Sequence, residues 1–598
     1  GSIESTKNSN VGIYIKTGAD SITNAGTINL SDDSTGIYGE NTVINNNGNI
    51  AVGNKAETSS VGIYGMGSVI NNTGNIKTGK MGVAFYAENS VININSGNID
   101  ISDSGTMVYG NYSTINYNSG IDLTASGEPL VYLINSSMNF NGVDISASKG
   151  GVTLYQEGIS SITGYNNLIL GTGATGIYGV NTDIINSGQI KTGENSIGIT
   201  GIDSNINNNS TISGTEKGTG IYSELNTSGR STVINNNSSI ILDKDQSVGI
   251  YINTTDNAGN VLGSTTVNNI GSIQLGNASS LDTAAIGIYG TGGVTINNSG
   301  SVNAGTNSIG LYSKNGSTIT NGGIILGDQS VGVYQSGGTA ATAGNILVGD
   351  NGGVALFADN GAELINNSAN VSAGTNSVLG YSKNSGTKLI NNGNLTVGTE
   401  NVGFYTNSGK IENNGILTST GDGVIFWYGK SGEIVNNNKL DSSTNDYGVG
   451  IYGENTNIIN NNDILVKNSI ITDLDNLANE ANRFAVGIYG NSGKIENTGN
   501  IQIGERGIGI YSYNQSGDIV NAGQIKSSSD YAMGIYASNG NGYEIKNTGS
   551  IELSGKEVIG IAANTNTVVR NTGSIIIAGE NSVGILAEKN SKVYNTGT

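Results

Sequence analysis

Apolar and polar positions alternate with a period of two in short bursts along this chain, and most bursts stop at Asn or Gly. One burst opens on Gly12-Ile13-Tyr14 and returns as Gly36-Ile37-Tyr38, Gly62-Ile63-Tyr64, Gly176-Ile177-Tyr178, Gly287-Ile288-Tyr289, Gly450-Ile451-Tyr452 and Gly534-Ile535-Tyr536. Degenerate copies such as Val131-Tyr132, Leu356-Phe357 and Ile585-Leu586 fill the gaps. There are 24 copies, most of them 22 to 26 residues apart, with longer intervals from 222 to 251, 251 to 289 and 452 to 489. Between copies lies a second pattern, aliphatic-x-Asn-x-Gly-x-aliphatic. It is seen in Ile44-Asn45-Asn46-Asn47-Gly48-Asn49-Ile50, Ile411-Glu412-Asn413-Asn414-Gly415-Ile416-Leu417 and Ile495-Glu496-Asn497-Thr498-Gly499-Asn500-Ile501. Strand alternation puts its four fixed positions on one face. Asn-x-Gly tolerates left-handed backbone, so a turn there divides the segment into two strands.

Each repeat therefore holds three short strands and three turns. This predicts an all-β chain, a right-handed three-faced parallel β-helix of about 24 coils. At about 4.8 Å per coil the array would span roughly 115 Å. Leucine-rich repeats lack their Leu frame here, helical repeats do not tolerate this much Gly and Asn, and calcium-binding Gly-Gly-x-Gly-x-Asp tandems do not occur. Gly1-Ser2-Ile3-Glu4 repeats Gly549-Ser550-Ile551-Glu552, and Val593-Tyr594-Asn595-Thr596-Gly597-Thr598 stops inside the second motif. The expectation is one β-helix segment, residues 1–598, cut from a longer array.

Two columns follow from stacking. Asn24, Asn46, Asn72, Asn186, Asn298, Asn413, Asn497, Asn547 and Asn571 should form an interior amide ladder. In Val61-Gly62-Ile63-Tyr64 alternation places Val and Ile inside and Tyr outside, as a stacked aromatic stripe filling 20 of the 24 sites; Thr200, Phe357, Ala562 and Leu586 are the exceptions. Breaks in the period are the places to look for binding, because solenoid insertions loop out on the surface. They fall at 224–231, 253–265, 277–285 and 467–484. In the last, Thr472 reads as an N-cap, and Leu474, Leu477, Ala478, Ala481 and Phe484 recur at helical spacing. A short helix over 473–483 would then offer Asn476, Asn479, Glu480 and Arg483 to a partner. The 253–265 loop offers Asn257 and Asn260. Phe426-Trp427-Tyr428 places large rings on both sides of a strand, which makes Trp427 and Tyr428 candidates for an aromatic contact. A second aromatic cluster, Tyr109, Tyr112, Tyr117, Tyr132, Tyr155 and Tyr165, surrounds the sole proline, Pro129.

Composition narrows the chemistry. With 94 Gly, one Pro and only 12% charged residues the chain is neither an ordinary globular domain nor collagen. No Cys and no His removes thiolate and imidazole metal ligands and the usual general base. A net charge of −20 argues against nucleic acid. No apolar run is long enough to span a membrane as a helix, and residues 1–30 read like the rest of the repeat rather than a signal peptide. Acids are scattered, Arg occurs only at 230, 483, 506 and 570, and Asp243-Lys244-Asp245 is the densest charged spot. No acid/base pair for glycan cleavage stands out, so neither catalysis nor a cofactor is expected.

Gly36-Ile37-Tyr38-Gly39-Glu40-Asn41 recurs unchanged as Gly450-Ile451-Tyr452-Gly453-Glu454-Asn455, alongside Ile296-Asn297-Asn298-Ser299-Gly300-Ser301-Val302. This wording resembles the passenger regions of type V autotransporters. It is most similar to the very large outer-membrane adhesins of fusobacteria, including the arginine-inhibitable and galactose-inhibitable types. The resemblance covers essentially the whole chain. It implies a monomeric rod at the bacterial surface, tethered to the outer membrane by a barrel domain, that binds a host-cell receptor (protein or glycan) or a partner bacterium. A passive spacer carrying a distal tip is the alternative, and a glycan-degrading β-helix enzyme a more distant one.

Overall fold

The computed structural model describes every residue except 18–19, 59, 126–128, 149, 216, 244 and 473–482. The chain divides into two compact units, 1–303 and 304–598. Each is a parallel β-solenoid, and each carries twelve strands of the Gly-Ile-Tyr type. Among the described residues the helical content is a single 3₁₀ turn, Leu281–Thr283, and no helix is long and apolar enough to cross a membrane.

Three strands make each coil, and each strand pairs in parallel with its equivalent one repeat away. On the tyrosine face Ile37 lies opposite Ile63 and Tyr38 opposite Tyr64. On the asparagine face Ile44 meets Ile70 and Asn46 meets Asn72. On the third face Ile50 meets Ile76. Ile44, Asn46, Gly48 and Ile50 all point inward, as the alternation requires. The glycine of this motif is needed for close approach: a Cβ on Gly74 would collide with the Gly48 carbonyl oxygen and crowd the Asn46 amide.

The tyrosine face departs from simple alternation. Gly36 and Ile37 are both buried while Tyr38 is half-buried, and the strand register passes from Thr35 to Ile37 without pairing Gly36. A Cβ on Gly36 would sit 2.5 Å from both the Gly62 oxygen and Ile50 Cγ2, which places this glycine inside. The expected interior position of the preceding Val column holds at Val61 and Val486 but is corrected at its other members. Ile197, Val248, Ile309, Val331 and Ile559 are only half-buried, because the glycine takes the inward place. Ile points inward and Tyr outward, as expected. Where the glycine is replaced, its successors Ala84, Met107, Leu130, Ala355, Leu379 and Phe426 are buried in the same column.

The asparagine ladder forms in both units. In the first, Asn24 donates to Asn46 and Asn46 to Asn72, then Asn186 to Asn208, Asn236, Asn269 and Asn298 in turn, all at 2.7–2.8 Å. In the second, Asn366 starts an unbroken series through 391, 413, 436, 460, 497, 521, 547 and 571 to Asn595, at 2.7–3.0 Å. Each bond runs the same way, amide nitrogen to the next coil's oxygen. The gap between Asn72 and Asn186 is filled by Ile94, Tyr117 and Phe140, which stack in register on that column. Tyr165 closes the gap by donating its hydroxyl to Asn186 Oδ1. Two tyrosines of the cluster around Pro129, 117 and 165, are thus core residues.

Candidate functional site

Tyrosines that must lie one coil apart on an outer face have little choice but to stack. In the first unit the rings run without interruption from Tyr14 through 38, 64, 86, 109, 132 and 155 to Tyr178. Their centroids are 4.2–5.7 Å apart and their planes lie within 24° of parallel. Thr200 interrupts the column, and Tyr222, Tyr251 and Tyr289 resume it. In the second unit Phe357 breaks the parallel stack: Tyr334, Phe357, Tyr381 and Tyr405 meet edge to face at 67–78°. Parallel stacking returns from Tyr405 to Tyr536.

Carboxylates border this stripe. Tyr155 donates to Glu157 at 2.9 Å, Tyr222 to Glu224 at 2.9 Å, Tyr334 to Asp359 at 3.0 Å and Tyr452 to Glu454 at 3.3 Å. The sequence reading missed this rim, although its signal is present: an acid two residues after the aromatic position, on the same coil for Glu157, Glu224 and Glu454 and on the next coil, after Phe357, for Asp359. Burial, helped by the Glu454 hydrogen bond and charge, pushes the Tyr428 phenol up to about 12. Burial likewise raises Tyr155, Tyr222, Tyr334 and Tyr452. The folded state thus keeps these phenols protonated where the unfolded chain, at 10.0, loses its protons. The contribution of Tyr428 to stability is complete below pH 10 and is lost as the pH rises through about 12; that of Tyr155, Tyr222, Tyr334 and Tyr452 is lost in the same sense on the alkaline side. Alkaline titration should show phenolate absorbance lagging the free-tyrosine curve and then rising together with loss of the β-sheet circular dichroism. Tyr155, Tyr222, Tyr334, Tyr428 and Tyr452 ionising at pH 10 with the sheet signal intact would contradict this.

The insertions are built rather than slack. In 253–265, Asp256 accepts from the Ala258 and Asn260 backbone nitrogens and the Asn260 side chain at 2.8–2.9 Å. Those bonds, the Asn260 side chain first, hold its carboxyl below the usual range. Thr255 and Val261 pair as an antiparallel bridge at the loop's base. Asn257 and Asn260 are both exposed at the tip, Asn260 with its amide turned back onto Asp256. In 224–231, Asp203 accepts from Asn226 N, Thr227 N and the Thr227 hydroxyl, and Arg230 reaches Asn181 Oδ1 and the Asp203 carbonyl at 2.9 Å. In 277–285 the 3₁₀ turn is tied back by Ser279, which donates to Asp245 at 2.6 Å.

The 467–484 insertion is pinched at its root. Ile470 and Arg483 exchange backbone hydrogen bonds at 2.7 Å. Ser469 donates to the Arg506 carbonyl and accepts from Ala485 N. Ile470 and Phe484 are exposed on either side. The expected helix over 473–483, with Asn476, Asn479 and Glu480, lies outside the described residues, apart from Arg483 in that bridge. Beside the root a shallow groove of about 620 Å³ runs along the third face, bordered by Lys467, Asn468, Gln502, Lys526, Ser528 and Glu552.

Trp427 requires a correction. It is 0% exposed and its ring stacks on Phe404 at 4.5 Å, so it offers nothing to a partner. The premise that consecutive rings face opposite ways fails here. Phe426 occupies the glycine column and Trp427 the isoleucine column, and both of these point inward. Tyr428 is in the outer stripe, half-buried between Tyr405 and Tyr452. Among the described residues no group of three or more His, Cys, Asp or Glu could hold a metal ion. No family model, no curated protein and no solved structure matches this chain.

Proposed function

We propose that this chain is a passenger segment of a bacterial surface adhesin, binding a host-cell receptor or a partner bacterium through loops carried on a β-solenoid. The observation that carries this reading is the construction of the insertions. Ordering a loop costs roughly 1–2 kcal/mol per fixed residue, and a repeat array gains no coil-to-coil packing from it. Yet Asp256 and Asp203 each spend a carboxylate on fixing one. The fusobacterial wording of the repeat supports the same reading, and with it a location at the cell surface on a membrane-anchored parent. The unbroken ladder from Asn366 to Asn595 favours a second role as a stiff spacer.

Loop truncation separates the two. Thr255 and Val261, and Ile470 and Arg483, already face each other as antiparallel bridges. Residues 256–260 and 471–482 can therefore each be replaced by an Asn-Gly turn without disturbing the strands below. The doubly truncated protein should keep its β-sheet circular dichroism and melting temperature while attaching severalfold less to host cells or partner bacteria. Undiminished attachment would leave the spacer as the better account.

A further inference from the structure

The first unit's tyrosine column has a feature that neither adhesion nor sheet pairing requires. Of its rings, Tyr132 and Tyr155 are closest, 4.2 Å between centroids with planes 12° apart. Tyr155 also has a proton acceptor in place, Glu157 Oε2 at 2.9 Å, whereas the Tyr64–Glu88 contact in the same run is stretched to 3.4 Å. The eight-ring run begins at Tyr14, which is 59% exposed, so an electron can be taken from an accessible ring. Ring-to-ring contact lets the vacancy pass along the stack. It comes to rest where the phenol proton has somewhere to go, because a phenol that keeps its proton after oxidation is a high-energy cation.

We propose that this column is a site of oxidative modification, in which Tyr132 and Tyr155 couple into an intramolecular dityrosine when the chain meets a peroxide-charged haem peroxidase. One electron leaves Tyr155 and its proton passes to the Glu157 carboxylate, giving a neutral phenoxyl. A second one-electron oxidation converts Tyr132, whose proton goes to water. Spin density lies partly on the carbons ortho to each oxygen; two such carbons join in a new carbon–carbon bond. Each of those carbons then gives up its hydrogen as a proton, and each oxygen regains one, restoring two phenols. The pair has lost two electrons and two protons in all, and one hydrogen peroxide accepts them to become two waters. The product staples two consecutive coils covalently. This inference does not depend on the adhesin reading.

The test is treatment of the dilute, folded protein with a haem peroxidase and limiting hydrogen peroxide, followed by dityrosine fluorescence and mass spectrometry of linked peptides. The Tyr132–Tyr155 link should dominate. It should disappear in Tyr155→Phe and fall severalfold in Glu157→Gln, which keeps the hydrogen bond but cannot take the proton. It should persist in Tyr112→Phe, which removes a ring 62% exposed and outside the column. Urea-unfolded chain should lose the preference for this pair. Should Tyr155→Phe fail to fold, the Glu157→Gln yield and the unfolded control still decide. Links made mainly between molecules through Tyr112 or Tyr594 would overturn the proposal, as would a Tyr132–Tyr155 yield equal in Glu157→Gln or in the unfolded chain.

Discussion

Asn413→Leu will destabilise the second unit by about 1–3 kcal/mol for each amide group it leaves unpaired. Asn413 lies inside an unbroken series, accepting from Asn391 at 3.0 Å and donating to Asn436 at 2.9 Å. Its oxygen also receives the Gly415 N–H at 3.3 Å, which fixes the turn into the third face. Leucine keeps asparagine's heavy-atom count and branching but supplies neither donor nor acceptor, and its bulkier methyl groups add crowding to the lost polarity. The Asn391 nitrogen would retain only the Gly393 carbonyl, and the Asn436 oxygen would lose its donor in a place water does not reach. Asn414 is the internal control. It makes the same kind of interstrand amide bonds, to Asn392 and from Asn437, but on the solvent side. There water replaces a lost partner, and Asn414→Leu should change stability by only a few tenths of a kcal/mol. Equal melting temperatures for wild type and Asn413→Leu would remove the ladder from the account of stability.

The asparagine ladder was legible because it depends only on the period. Once Asn46 and Asn72 are known to recur at one place in the motif, alternation sets their direction and stacking sets their partners. The outward tyrosines were legible for the same reason. What the repeat did not reveal is anything that depends on how one coil compensates another. The inward glycine on the tyrosine face shifts the alternation by one residue, a bulge that a two-residue period does not express. The Val column was misplaced on that account, and with it the orientation of Trp427. The gap in the ladder shows the same limit. Ile94, Tyr117 and Phe140 look like departures from a polar motif, and only their register shows that they fill one column, with Tyr165 supplying the hydroxyl that restarts the series at Asn186. Interval length alone marked where the period breaks, at 224–231, 253–265, 277–285 and 467–484. The internal order of these insertions rests on Asp203, which lies outside the 224–231 interval it fixes, and on Asp256, a single acid in an otherwise bland loop.

Gly380→Ile, which restores the commonest residue of the repeat, will destabilise the protein by about 1–3 kcal/mol. Val378-Leu379-Gly380-Tyr381 inverts the usual order: Leu379 fills the glycine column and Gly380 stands where isoleucine belongs. The reason lies one coil on. Phe404 occupies the isoleucine column there, stacks on Trp427 in the next coil, and swings its ring into the space beneath Gly380. A Cβ at 380 would meet Phe404 Cδ1 at 2.5 Å and Cε1 at 2.7 Å, with Leu389 Cδ1 at 3.0 Å closing the other side. The ring cannot retreat, since Trp427 holds its opposite face. Phe404→Ile alone should also destabilise, leaving a void between a glycine and an indole. The double variant Gly380→Ile/Phe404→Ile should recover most of either loss, a coupling of about 1–3 kcal/mol in favour of the pair. Trp427 is the single tryptophan of the chain and fully buried, so its fluorescence reports on this stack without interference. Emission should shift to the red in each single variant and return towards the wild-type position in the double. If the two single losses simply add, the glycine and the phenylalanine are independent, and the inverted order at 379–380 needs another cause.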